Sequence, residues 1–211
     1  MQMGRLRLMM ENNYKQIFAL VLTNNEHHAR FLNTLSLMEL SGAKKLARLV
    51  DHQSSAFLLE HVAEEFRHAY FLRKLAQKIA GLDMNFSEHF LLPSRAAKNY
   101  ISTLDRCVCL LLKKYDLADK NLIKERAYLL TTFAVESRAL PFYEAYQENL
   151  KRLNIPISVK SIISEEDNHL NQVKEQLKSD HDLAILIEPT LALENRLFQL
   201  IISQMVEAIA I

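Results

Sequence analysis

The sequence predicts an all-α protein, built as two helical hairpins joined by a long crossover that carries its own helix, with one further helix at the C-terminus. Two observations carry this reading. The 211-residue chain holds only three Gly, four Pro and no Trp, so it lacks the breakers that strand-and-turn folds use at their corners. Its apolar residues also recur at spacings of three and four, the period of a helix face, within segments bounded by turn signals. With 49% hydrophobic and 24% charged residues, the length suits a single helical domain over residues 1–211 with a sizeable core.

The elements follow in order. Asn12 to Leu22 is a short helical candidate. Thr23 and Glu26 have capping-box spacing, which predicts a helix beginning there and running through Phe31, Leu35, Ala43 and Leu46 to about Val50. The polar run Asp51-His52-Gln53-Ser54-Ser55 is the predicted turn. A second helix follows from Ala56 to Ala80, with Gly81 as its stop. A connection containing Asp83, Asn85 and Pro93 leads into the crossover helix, from about Ser94 to Tyr115. The third long helix runs from about Asp119 to Leu153 and ends at Asn154-Ile155-Pro156. Pro141 inside it cannot donate to the carbonyl of Ser137, which predicts a kink. A fourth helix spans about Ser158 to Lys178, and the last follows His181 and Pro189. Two hairpins joined by one long crossover are a known variant of the four-helix bundle.

Composition excludes several function classes. A net charge of +1 and no basic stripe argue against nucleic acid as a partner. Met1 to Met10 has no sustained apolar run after its basic residues, so no secretory signal is expected. The apolar stretch from Leu197 to Ile211 is interrupted by Gln199, Ser203, Gln204 and Glu207 and falls short of the ~20 residues a membrane span needs. It reads as a helix packing on the bundle or across a homodimer contact. Cys107 and Cys109 point roughly 200° apart on a helix, so they neither pair nor clasp one metal. They are expected to be reduced thiols, at least one of them in a core, which suggests the cytoplasm.

The informative anomaly is a set of carboxylates in apolar seams. In the second helix Leu58, His61, Glu65, His68, Leu72, Leu75 and Ile79 share a face that is apolar at both ends and ionisable in the middle. The fourth helix repeats this with Val159, Ile162, Glu166, His169, Val173 and Leu177. Both carry Glu-x-x-His, in which residues three apart project from one face and can reach a common metal. One such motif is a weak signal, whereas two, each at the midpoint of a seam, are much stronger. Glu136 interrupts the face of Leu129, Phe133, Leu140 and Tyr143. Glu39 interrupts that of Leu32, Leu35, Gly42 and Leu46. Burying unpaired carboxylates costs several kcal/mol, so something must neutralise them. Glu39 and Glu65 each lie about 13 residues, roughly 20 Å at ~1.5 Å per residue, from the intervening turn and so reach similar depth.

One Glu from each of two helices plus Glu-x-x-His from each of the other two resembles the ferritin-like di-iron carboxylate superfamily, over about residues 24–178. The resemblance implies a ferritin-like four-helix bundle holding two iron ions, or a Mn/Fe pair. Glu65 and Glu166 would bridge, with Glu39, His68, Glu136 and His169 as terminal ligands. Four carboxylates against two divalent ions leave a neutral site, and mixed carboxylate and imidazole ligation suits iron or manganese. The activity implied is that of a non-haem di-iron oxidase or oxygenase, using O2 to oxidise a small organic substrate with an electron donor the sequence does not name. No catalytic residue beyond the metal ligands and no other cofactor site is implied.

Rival readings stand beside this one. Glu26 competes with Glu39, although a place near a helix start gives it a capping role. His61 is either a hydrogen-bonded core histidine or a group that supports or joins the ligands. Tyr143 is either packing or a radical or substrate contact, and Gly42 and Ala43 either leave space for dioxygen or substrate or let helices pack closely. Glu64, Glu165, Glu144 and Glu148 lie off the seams and read as surface residues. At the level of function, a ferroxidase handling iron and a non-catalytic scaffold stabilised by metal are the alternatives. A rubrerythrin-like peroxidase fits less well, because no Cys-x-x-Cys is present.

Overall fold

A computed structural model describes residues 14, 16–92, 95–117 and 122–210. Every regular element among them is helical, and none is a strand. Residues 16–21 are helical, and six longer helices follow: α1 (Asn25–Leu46), α2 (Ala56–Ala80), α3 (Arg95–Lys114), α4 (Ile123–Arg152), α5 (Lys160–Ser179) and α6 (Ala184–Ile209). Single 3-10 turns sit at Ala47–Leu49, Glu88–Phe90 and His181–Leu183. The predicted helix starts at Asn12, Ser94 and Asp119, and Pro93, lie outside the described residues. No helix among the described residues is long and apolar enough to cross a membrane.

The helix boundaries follow local chemistry. The cap of α1 is Asn24, whose side chain accepts from the backbone N–H of His27 at 3.0 Å. The expected Thr23 instead turns its hydroxyl back to the carbonyls of Ala19 and Leu20. Asn is at least as good an N-cap as Thr, and Thr23 still closes the preceding helical turn. At the next turn, Asp51 Oδ1 accepts from the N–H of Gln53 and the hydroxyl of Ser54. Ser55 then caps α2, accepting from the N–H of Leu58 at 3.2 Å. Gly81 ends α2 in the left-handed conformation, φ 69°, and its N–H donates to the carbonyl of Gln77. That conformation is cheap only without a Cβ.

Two expectations are corrected. The last helix begins at Ala184, ahead of Pro189, and continues through it. Leu183 and Leu186, both at 0% exposure, anchor the segment before the proline, and burying two leucines offsets the ~3 kcal/mol that an interior proline costs. Cys107 and Cys109 are both half-buried, so neither belongs to the core. They flank the seam of Leu104, Val108 and Leu112, which are buried at the expected spacing of four. α4 is one continuous helix with Pro141 inside it.

The chain forms two compact units. The first comprises Met1–Lys98, Glu144–Ser158 and Gln199–Ile211. In it α1 and α2 run antiparallel, since Ser36 Oγ donates to the carbonyl of Ala69 at 2.6 Å while Gly42, further along α1, faces the earlier residue Glu65. The loop after α2 folds back on α1: Asn33 Nδ2 donates to the carbonyls of Asn85 and Phe90, and Arg30 to that of Leu91. Phe18, Phe31 and Tyr146 form an aromatic cluster with centroids 5.5–6.2 Å apart. His28 joins it, 2.5 Å from the Tyr146 hydroxyl.

The second unit comprises Asn99–Tyr143 and Val159–Phe198. The α5 seam is buried as its period predicts, with Val159, Ile162, Val173 and Leu177 all in the core. Arg126 ties the unit together, donating to Asp180 at 2.8 Å, to Asp182 at 3.2 Å and to the carbonyl of Leu117 at 3.1 Å.

Candidate metal centre

In the first unit the ligand-bearing helix is α2, held at both ends by the Ser55 cap and the Gly81 stop. His61, Glu65 and His68 stand on successive turns of one face, with exposures of 1%, 6% and 1%. His61 Nε2 is 3.4 Å from Glu65 Oε1. The Phe57 ring, one turn earlier, stacks on the His61 ring at 5.9 Å and 28°. On the α1 side, Gly42 leaves Glu65 room: a Cβ there would stand 3.7 Å from Oε2.

In the second unit Glu136 comes from α4, and Glu166 and His169 come from α5, with exposures of 3%, 1% and 2%. Ile162 and Val173, a turn to either side on α5, are buried and apolar. The Glu-x-x-His of α5 is thus withdrawn from water as its seam position predicts.

These are buried His/Glu clusters able to hold metal. In the first unit Glu65 has a ligand atom within 4.8 Å of one on His61, and likewise for His68; in the second, Glu136 and His169 stand as close. Each of the six, Glu166 included, belongs to a group of three or four buried side chains whose ligand atoms lie within 4.8 Å of one another. The donor set of carboxylate oxygens and imidazole nitrogens fits iron or manganese. Glu39 differs: it is half-buried and belongs to neither such group among the described residues.

The remaining candidates fall on either side of the burial divide. Glu26 lies in the first turn of α1 and makes a 3.8 Å ion pair with Arg30. Glu144 and Glu148 are exposed, and Glu64 and Glu165 are half-buried. Tyr143 is 1% exposed and meets Phe142 edge-on at 5.5 Å.

One buried carboxylate escaped the sequence reading. Glu194 on α6 is 2% exposed; it accepts from the Tyr100 hydroxyl at 2.5 Å and from Arg138 Nε at 3.0 Å. The Arg138 guanidinium lies 4.1 Å over the Phe198 ring. Burial raises the pKa of Glu194, opposed by the charge of Arg138 and by the hydrogen bonds from both partners. Burial also raises that of Tyr100, with the Glu194 charge adding to it. The signal was present: Glu194 sits mid-seam among Leu186, Thr190, Phe198 and Ile201, all buried. Here an arginine, not a metal, meets the carboxylate, so a mid-seam Glu alone does not mark a ligand.

A second buried polar pair lies in the first unit. Burial lowers the pKa of His28 to about 4 and raises that of Tyr146. The imidazole is therefore neutral, and its Nε2 and the tyrosine hydroxyl share one hydrogen bond. Comparison with models of protein families, with curated proteins and with solved structures found nothing that matches this chain.

Proposed function

We propose that Glu65, His68, Glu136, Glu166 and His169 form the common part of a site for two metal ions, iron or a Mn/Fe pair, and that the chain is a non-haem oxidase or oxygenase. The observation that carries the reading is the pair of Glu-x-x-His motifs, all four side chains buried to 6% exposure or less and all members of groups with ligand spacing. Such groups do not stay buried and charged without a compensating cation.

A bound metal pair would supply the redox chemistry toward O2, and the chain would supply the setting. The paired carboxylates would offset the charge of the ions. The imidazoles would add neutral donors on the same helix faces, and the apolar turns at Ile162, Leu72 and Val173 would exclude water. The substrate expected is a small organic molecule.

Metal analysis of protein expressed in iron-replete medium, beside Glu65→Ala and Glu166→Ala, tests the site. Near-stoichiometric metal in the wild type, lost in both variants, is the expected result; equal traces in all three proteins would sink it. Consumption of O2 on addition of Fe(II), without assembly into a large shell, separates the oxidase from an iron-storing ferroxidase. Metal-bound protein that consumes no O2 would leave the scaffold reading.

A further inference from the structure

We propose that His61 is itself a metal ligand, so that three successive turns of α2 supply donors through His61, Glu65 and His68, and that Glu39 lies outside the donor set. This inference rests on the metal site proposed above and specifies its composition.

Three observations carry it. First, His61 lies four residues before Glu65 and seven before His68, so helical geometry puts both imidazoles on the carboxylate's face. Second, His61 Nε2 and Glu65 Oε1 are 3.4 Å apart. That is longer than the ~2.7–2.9 Å of a hydrogen-bonded ion pair. It falls at the upper end of the spacing of two donors that share an ion, roughly 3.0–3.4 Å for bonds of ~2.1 Å and angles of roughly 90–110°. Third, the ring is 1% exposed and Phe57 stacks on it at 28°. That packing sets the imidazole plane before any ion arrives, as a preorganised ligand requires.

Glu39 on α1 is half-buried, and among the described residues it is His61, and not Glu39, that is counted with Glu65 in a group with ligand spacing. The resulting set is three carboxylates and three imidazoles. Two divalent ions would then carry one net positive charge, where the four-carboxylate set leaves none.

The test uses the full chain loaded with Co(II), which fills carboxylate and imidazole sites and shifts the proton signals of its ligands. In the wild type, three exchangeable imidazole N–H resonances are expected in the shifted region. Two resonances, with two Co(II) bound, would overturn the role of His61 and leave the metal site standing; no bound Co(II) would overturn both. In His61→Ala, at least one of the two ions is expected to bind more than tenfold more weakly, and added free imidazole to restore the Co(II) spectrum. A folded His61→Ala that binds two ions with the wild-type spectrum would overturn the proposal. Glu39→Ala is expected to keep both ions, and loss of one would count against it. The resonance count needs no variant, so it decides the matter even if His61→Ala does not fold.

Discussion

Gly42 on α1 faces the carboxylate of Glu65 on α2, with 3.7 Å between the place of a Cβ and Oε2. That is ordinary van der Waals contact, so one added methyl fits, and the atoms of a longer side chain start from contact with the carboxylate. Gly42→Ala is therefore expected to keep metal binding and to raise stability by up to ~1 kcal/mol, the cost of a glycine within a helix. Gly42→Leu would drive its branch into the carboxylate. A metal titration of the two variants should show near-wild-type affinity for the first and at least a roughly tenfold loss for the second; equal affinities would show that Glu65 is not held at this contact.

Metal should also stabilise the fold. An ion that binds the folded chain alone adds about 2.7 kcal/mol at a concentration 100 times its Kd. For a chain of this size that raises Tm by roughly 5–11 °C. Thermal melts with and without Mn(II) or Co(II) should show the shift in wild type and lose it in Glu65→Ala and Glu166→Ala. An identical shift in all three would mean the ions bind elsewhere.

Arg138 is the counter-charge of Glu194, both under 10% exposed and 3.0 Å apart. Arg138→Leu leaves a buried carboxylate without its cation, at a cost of about 3–5 kcal/mol. A Tm drop of roughly 6 °C or more is expected. The double variant Arg138→Leu/Glu194→Leu should recover much of it, because the penalty belongs to the stranded charge. Glu194 also has a folded-state pKa raised above its unfolded value. Its protonated form is favoured by folding, so its contribution to stability declines as pH rises from about 4.5.

His28 gives the opposite slope. Its folded pKa is about 4 against 6.5 in the unfolded chain. Between these values the unfolded state binds the extra proton, so stability falls as pH drops from about 6.5 to about 4 and then levels. The loss amounts to about 3 kcal/mol. Urea unfolding across that window should show the slope in wild type and a flatter line in His28→Gln. An unchanged slope in the variant would assign the acid sensitivity to other groups.

Much of the architecture was legible in the residues because helical period and turn chemistry are local. The predicted limits of α2, Ala56 and Ala80, match the structure, since Ser55 and Gly81 act within one turn of themselves. The α5 seam was equally readable: its six predicted positions, Val159 to Leu177, are all buried. Misses in local detail were small. Asn24 caps α1 in place of Thr23 because the two are adjacent and both able to cap. The start of α6 was read too late, because a proline's local cost is visible in sequence and the burial of Leu183 and Leu186 is not.

By itself the sequence determined which residues share a face, and so the pairs Glu65/His68 and Glu166/His169. Only the tertiary structure decided depth and company. Glu39 and Glu65 occupy like places in their seams, yet one is half-buried and the other 6% exposed. Glu194 looks the same by period, yet Arg138, 56 residues away, meets its charge. His61, left open by spacing alone, stands 3.4 Å from Glu65. The physical reason is that a helix's period depends on neighbours a turn away, whereas desolvation and charge compensation depend on groups far along the chain that only folding brings together.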